Sequence, residues 1–443
     1  MHKLIIHKLG PIEECELQCS QFMTFTGFQA SGKSTIAKAI YYFRTIKEDI
    51  LDLIRRQAFH LSPIDGLINE GSDITYGAAL EQELKEYLIE KFFMTFGPSC
   101  RTSAQMQIEY HYTNSCFIII SLEKNVINHT SNELNISFSK DLIKFLQKIN
   151  NSFPVTPIGI DEELQSLKTE LNCIFDDPYS VVYIPAGRSI LTLLSEQLSY
   201  IYITMDDFQK RSLDLCTKDY LERILRIKSE FSEGLSGLAL YYRRKSSLPS
   251  AILNQALNLI QQVLRGTYRY KNGEEQILLD DGNFVKINFS SSGQQESVWI
   301  LNLLFYYLLQ QKQILFIIEE PESHLFPASQ KYITELITLV NNCNHSILLT
   351  THSPYVLGAL NNLLYAHTLP QHCIQNACKI IPKSLWLDDN YFDAWFVKNG
   401  VIENCIDPEI HMIQNERIDD ISKVINNDFD RLLELQNTVE EGV

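Results

Sequence analysis

The sequence lacks three features that would each point to a particular class of protein: an excess of positive charge, a long apolar run and a repeated pair of closely spaced cysteines. Its 443 residues carry 38 Lys and Arg against 54 Asp and Glu, which gives a formal net charge of −16. This balance argues against a protein that simply coats nucleic acid, because neutralising phosphates requires a clustered basic surface.

The apolar runs are too short for export or for membrane insertion. The longest, 298–309, is interrupted by Asn302 and falls short of the ~20 residues that a helical span needs. The run near the N-terminus stops at His7, which is too early for a signal peptide. The ten cysteines lie scattered from Cys15 to Cys405. These features predict a cytoplasmic protein with reduced thiols and no membrane partner.

What the sequence does contain is a phosphate-binding pattern, GFQASGKST at 27–35, which matches G-x-x-x-x-G-K-[ST]. It follows an apolar strand pattern at 20–26 and opens a helical pattern at 34–54. In such a loop the backbone N–H groups approach phosphate oxygens, the lysine reaches the β- and γ-phosphates, and the hydroxyl after it ligates Mg²⁺. The predicted nucleotide-binding residues are Gly27, Phe28, Gln29, Ala30, Ser31, Gly32, Lys33, Ser34 and Thr35.

A second pattern places carboxylates at the end of an apolar run, ILFIIEEPESHLFP at 314–327. Like charges this close are tolerated where water, a cation or a phosphate-bound metal lies nearby. A phosphate-loop enzyme needs acids there to hold Mg²⁺ and to polarise the attacking water. We assign Glu319 to the metal and Glu320 to the water, as the general base. Glu322 is interpreted as a solvated loop acid or an interface contact.

Two further segments complete the set of four motifs. NFSSSGQQES at 288–297 puts small residues before an apolar helix, which alone is also typical of a helix N-cap. ILLTTHSPY at 347–355 ends a strand pattern at His352, where a lone histidine is usually structural.

Together, in this order, the four segments resemble the ATP-binding-cassette ATPases. Ser291, Gly293 and Gln294 match the L-S-G-G-Q signature of the transporters, whereas Ser290 and Ser292 depart from it. The resemblance implies that this helix N-terminus caps the γ-phosphate of a nucleotide held by another subunit, and that His352 is the catalytic switch histidine. The signature residues predicted to bind nucleotide are Ser291, Ser292, Gly293 and Gln294.

SSGQQE, EEPESHLFP and TTHSPY look most like the soluble branch that contains RecF, the overcoming-lysogeny nucleases and the ATPase subunits of anti-phage systems such as PARIS and Septu. In that family the first acid is usually Asp, and here it is Glu319, whose longer side chain can still ligate magnesium. Arg188, in YIPAGRS at 183–189, either faces the nucleotide or is a structural arginine at a strand end. ATP and Mg²⁺ are the expected cofactors, since an Asn-Lys-x-Asp guanine motif is absent.

The fold class predicted is α/β: a cassette-type ATPase head with an antiparallel β subdomain and an inserted helical lobe. The periodic patterns behind the prediction are strands at 2–9 and 180–187, three β-like runs in 105–139, helices in 189–265 and an Asn-Gly hairpin around Lys398. The cassette-type head itself is what the resemblance implies. The expected domains are the N-terminal part of the head at 1–60, the β subdomain with its return strand at 61–188, the helical lobe at 189–283, the C-terminal part of the head at 284–370, and a hairpin with an amphipathic helix (418–436) at 371–443.

The resemblance implies an ATPase that dimerises, or forms a higher oligomer, around ATP. We expect it to control a separately encoded effector, a nuclease, in anti-phage defence. The alternative is a RecF-like repair ATPase that binds DNA in an ATP-dependent way, and DNA stays a candidate partner. A scaffold that binds ATP and scarcely hydrolyses it is a third reading. The segment after His352 is too short for a Toprim domain, so no nuclease activity of its own is expected.

Overall fold

The computed structural model describes residues 2–60, 76–97, 105–124, 132–152, 160–193, 214–243, 247–414 and 424–432. Within these ranges, no helix is long and apolar enough to cross a membrane. The fold is α/β, as predicted, and is built on one large mixed sheet.

Eleven strands form the large sheet in the order β6-β5-β4-β1-β2-β14-β13-β3-β12-β11-β7, and a second sheet holds β10-β9-β8. The strands are β1 (Lys3–Leu9), β2 (Ile12–Gln18), β3 (Phe22–Gly27), β4 (Gln107–His111), β5 (Phe117–Lys124), β6 (Asn132–Phe138), β7 (Ser180–Ile184), β8 (Thr267–Lys271), β9 (Glu274–Leu278), β10 (Phe284–Lys286), β11 (Ile314–Glu319), β12 (Ser346–Thr350), β13 (Phe392–Lys398) and β14 (Val401–Asn404).

Helices connect these strands and cover the large sheet. They are α1 (Lys33–Arg44), α2 (Ile46–His60), α3 (Tyr76–Phe96), α4 (Lys140–Ser152), α5 (Ile160–Ile174), α6 (Arg188–Leu193), α7 (Leu215–Ile227), α8 (Gly234–Arg243), α9 (Ser250–Leu264), α10 (Ser292–Gln310), α11 (Pro327–Asn341), α12 (Pro354–Thr368) and α13 (Ile374–Ile380).

The central strands are buried on both faces. Leu315 and Ile317 of β11 pack into one hydrophobic cluster, while Phe316 and Ile318 pack into the other. Alternating side chains of a strand point to opposite faces, so a continuous apolar run suits a parallel strand covered by helices on both sides. This burial explains why the run at 314–318 contains no polar residue.

The parallel strands β3, β12, β11 and β7 lie side by side, and this arrangement creates the site. Glu319 pairs with Thr350, and Thr350 pairs with Phe25. The carboxyl ends of the four strands therefore meet at one edge of the sheet, where ligands of open α/β sheets bind.

Several elements differ from the sequence prediction. The helix expected at 34–54 is two helices, α1 and α2, with Thr45 between them. Strand β2 and the small sheet of β8 and β9 were not predicted, although 189–265 is helical over α7 to α9, as expected. The β-like runs of 105–139 are antiparallel strands, as predicted, but they continue the large sheet through β1.

The predicted C-terminal hairpin is confirmed, and it lies beside the phosphate-loop strand. Asn399 and Gly400 adopt positive φ at the turn between β13 and β14. Strand β13 runs parallel to β3, with Val397 opposite Gly27. Of the helix predicted at 418–436, residues 424–432 are described; they are helical, and their apolar side chains are exposed rather than packed on the head.

Candidate functional site

The phosphate loop follows β3 and ends where α1 begins at Lys33. Two of its glycines have no room for a side chain. A Cβ on Gly27, at φ +137°, would lie 2.3 Å from the Val397 carbonyl oxygen, and one on Gly32, at φ +110°, would lie 2.3 Å from Ile12 Cδ1. Only glycine adopts these dihedrals readily. The sequence pattern is thus needed for the loop to fit between its neighbouring strands.

Lys33 is folded back onto the loop that it terminates. Its Nζ donates to the carbonyl oxygens of Gly27, at 3.1 Å, and Phe28, at 2.8 Å. Burial lowers the pKa of Lys33 to about 8, and the nearby carboxylates of Glu320, Glu322 and Glu319 oppose this shift. The cation and all three acids of the β11 segment therefore share one electrostatic environment.

Glu319 is the last residue of β11 and is buried. Its Oε2 accepts from the backbone N–H of Ala186 at 3.2 Å. Its Oε1 is also buried and has no hydrogen-bond partner within the described part of the chain. A buried carboxylate oxygen left without a donor fits a ligand for a hard cation, and the exposed Ser34 hydroxyl belongs to the same class of donor. These two groups fit the Mg²⁺ that the sequence predicts.

Glu320 leaves the strand in a strained conformation, with φ at +42°. Its N–H donates to the Thr350 carbonyl at 2.9 Å. One carboxylate oxygen lies 3.3 Å from His352 Nε2, and the other accepts from Ser323 Oγ at 3.4 Å. The hydrogen bond with His352 is the main cause that lowers the pKa of Glu320. An ionised carboxylate held beside a histidine can accept a proton from water.

Glu322 corrects the sequence interpretation of a solvated loop acid or interface contact. Its Oε1 accepts from Thr351 Oγ1 at 2.8 Å and from the His352 N–H at 2.7 Å, and burial raises its pKa. Glu322 therefore fixes the segment that presents His352. The contact joins residues about thirty positions apart, so the local sequence carries no signal for it.

The signature segment caps α10, which is the structural alternative considered from the sequence. Ser291 is the N-cap and forms a capping box with Gln294, whose Nε2 also donates to the Leu264 carbonyl at 2.7 Å. Ser291 and Ser292 are exposed. A Cβ on Gly293 would lie 2.7 Å from the His324 carbonyl oxygen, so this glycine lets the loop after β11 approach α10.

Arg188 is structural, which resolves the two readings left open by the sequence. It is fully buried at the start of α6. Its guanidinium donates to the backbone carbonyls of Pro185, Glu319 and Glu320 and forms an ion pair with Glu296 of α10. One signal for this pair is visible in the sequence, namely a glutamate, Glu296, near the start of an otherwise apolar helix face.

Comparisons with known proteins agree with an ATPase domain. The family model described as an AAA ATPase domain matches residues 1–357. No curated protein matches the chain.

Three solved structures of SMC heads are similar, each over 91% of this chain. The SMC head domain from Thermotoga maritima is 13% identical in sequence, and the match covers 97% of that chain with a TM-score of 0.35. A SmcHead bound to the C-winged helix domain of ScpA is 12% identical in sequence, and the match covers 95% of that chain with a TM-score of 0.38. An Smc head domain with an extended coiled coil, bound to the C-terminal domain of ScpA derived from Pyrococcus furiosus, is 10% identical in sequence. That match covers 96% of that chain with a TM-score of 0.36.

Proposed function

The chain belongs to the AAA ATPase domain family, and on this basis we propose that it binds and hydrolyses ATP with Mg²⁺. The observation that carries the proposal is the position of Glu320. Its carboxylate is held by His352, in the same electrostatic environment as Lys33, at the edge where β3, β11 and β12 end. A phosphate-binding lysine, a base and a histidine together are the groups that phosphoryl transfer to water requires.

The residues have separate tasks in this proposal. Lys33 exchanges the carbonyls of Gly27 and Phe28 for the β- and γ-phosphates, which restores its full charge. Glu320 orients the attacking water and accepts its proton, while His352 keeps the carboxylate in place. Glu319 and Ser34 would hold Mg²⁺, which supplies neutralising charge to the phosphates when bound.

We further propose that two copies of the chain complete each site. The exposed N-terminus of α10, with Ser291 and Ser292, offers backbone N–H groups and the positive end of a helix to a nucleotide carried by another copy. The dimer would then control a separately encoded effector in anti-phage defence, with a nuclease as the class of effector.

Phosphate release at saturating ATP tests the assignment. Lys33→Ala should weaken ATP binding, because it removes the charge that meets the phosphates. Glu320→Gln should bind ATP yet turn over about 10²-fold more slowly, on the usual scale for a general base. Glu16→Gln, at a surface carboxylate paired with Lys3, is the control for loss of one negative charge.

A magnesium series assigns the two acids. Added Mg²⁺ should partly restore Glu319→Gln, which weakens metal coordination, and should leave Glu320→Gln unchanged. The opposite pattern would mean that the two roles are exchanged. Wild-type protein that binds ATP without releasing phosphate would instead support the scaffold reading, and tight ATP-dependent binding to gapped duplex DNA would support the RecF-like alternative.

A further inference from the structure

A buried arginine connects the strand end that carries the acids to the helix that carries the signature. Arg188 Nη1 donates to the Glu319 carbonyl at 2.6 Å, and its Nη2 donates to the Glu320 carbonyl at 2.9 Å. The Glu320 carbonyl also accepts from the Ser323 N–H at 3.2 Å. The backbone on both sides of Glu320, which is held at φ +42°, is therefore fixed by one guanidinium.

The other side of the same guanidinium is held by α10. Arg188 Nε donates to the Glu296 carbonyl at 3.1 Å and lies 3.4 Å from the Glu296 carboxylate. That carboxylate also accepts from the backbone N–H groups of Arg188, at 3.1 Å, and Ser189, at 3.0 Å. Thr192 Oγ1 donates to the Gln295 carbonyl at 3.0 Å. Helix α6 is thus bonded to the start of α10 through several separate contacts.

From this geometry we propose that Arg188 is a positioning residue that couples the placement of the signature helix to the placement of Glu320. The inference rests on the proposed ATPase function and deepens it by naming how the site is regulated. Arg188 is fully buried and does not face the nucleotide; it acts through the backbone carbonyls of Glu319 and Glu320 on one side and through Glu296 on the other.

The physical argument is the rigidity of the connection. Glu296 lies in the second turn of α10, whose N-cap is Ser291. A guanidinium is planar and presents its donors in a fixed fork, so a shift of Glu296 is passed on to the two carbonyls rather than absorbed. Arg188 is fully buried, and protein interiors are close-packed, so a movement of its guanidinium is coupled to its partners. Engagement of the exposed signature serines by a second copy would therefore adjust the angle at which Glu320 meets its water.

Arg188→Lys tests the proposal, because lysine keeps the charge but cannot hold Glu296 and both carbonyls in one plane. We expect an unchanged affinity for ATP and an unchanged half-saturating concentration, with kcat lower by about 10²-fold, the scale expected for a misplacement of about 1 Å at a reacting group. Arg44→Lys is the matched control: Arg44 is also buried, and it pairs with Asp177 through two nitrogens, at 2.6 and 2.8 Å, away from the acids. It should lose stability without the loss in kcat.

A double-mutant cycle separates positioning from a general structural defect. In the Glu320→Gln background, measured by single turnover, Arg188→Lys should add little further loss, since the group it positions is already inactive. If Arg188→Lys does not fold, Glu296→Gln replaces it; this change keeps the side-chain size but turns one acceptor oxygen into an NH₂ facing a backbone N–H.

Each outcome decides the question. Wild-type turnover in the folded Arg188→Lys or Glu296→Gln protein would overturn the proposed coupling but leave the proposed ATPase function standing. An equal loss of kcat in Arg44→Lys, or a fully multiplicative loss in the double-mutant cycle, would have the same meaning. A wild-type protein that hydrolyses no ATP would overturn the proposed function itself, and the coupling with it.

Discussion

We expect ATP binding to weaken as the pH rises through 8, because the protein itself has reduced the basicity of Lys33, the residue proposed to meet the phosphates. Burial lowers the pKa of Lys33 from 10.5 to about 8. In the free protein, its ammonium donates to two loop carbonyls, which stabilise the charge less than water does. Bound phosphates would raise this pKa again, so binding ATP should take up a proton in this pH range.

The sign and size of this pH dependence follow from the linkage between ATP binding and proton binding. Below pH 8 the free protein already carries the charge that ATP requires, and above it that charge must first be acquired. Between pH 7 and pH 9 the charged fraction of Lys33 falls about tenfold, and the affinity for ATP should fall by about the same factor. Relative to the unfolded chain, the free folded protein disfavours the charged form of Lys33, so the effect of Lys33 on the free energy of unfolding is opposite in sign to that of a lysine that gains an ion-pair partner, whereas its effect on ATP binding has the same sign.

Titration calorimetry at constant ionic strength and magnesium, in buffers with different ionisation heats, measures both the affinity and the proton uptake. Lys33→Ala provides the reference, because the titration of ATP itself remains while that of Lys33 is gone. An affinity that does not change with pH in the wild-type protein, or a slope that persists in Lys33→Ala, would refute the reasoning.

Three further predictions concern neighbouring positions. Ser291→Arg should spare ATP binding but suppress phosphate release, since bulk and charge then occupy the capping helix end; full activity would exclude a site shared between copies. Gly27→Ala should lower the free energy of unfolding by about 1–3 kcal/mol in denaturant titration, because its Cβ would lie 2.3 Å from the Val397 carbonyl. Glu322→Gln should keep near wild-type turnover, since burial already disfavours its charge and an amide oxygen can still accept from the His352 N–H; a loss as large as that of Glu320→Gln would show that the charge matters.

The sequence predicts those parts of the fold whose contacts are local. The phosphate loop, the acids and His352 each follow an apolar strand directly, so strand ends alone predict that they meet at one edge. The Asn-Gly turn predicts the hairpin of β13 and β14 for the same reason, because its dihedrals are decided within a few residues.

Strands β2, β8 and β9 escaped prediction although their partners lie close in the sequence: residues 10–11 join β1 to β2, and Asn272-Gly273 joins β8 to β9. Strand β2, IEECELQ, and strands β8 and β9, TYRYK and EEQIL, are too polar to stand out, and their pairing with β1 and with each other makes them strands. The position of β13 beside β3 is likewise invisible in the motif, although it explains why Gly27 must be glycine.

The predicted reacting groups of the site are visible in the sequence, whereas the contacts that distinguish them and hold them in place are not. Glu319, Glu320 and Glu322 look alike in EEPE, and their differences arise only from what surrounds each of them: the Ala186 N–H for Glu319, a histidine for Glu320, and the Thr351 hydroxyl and His352 N–H for Glu322. A buried arginine must find its acceptors, and Arg188 finds them on β11 and α10, more than a hundred positions later. Motifs therefore predict which groups react, whereas the residues that hold these groups in place are determined by tertiary packing.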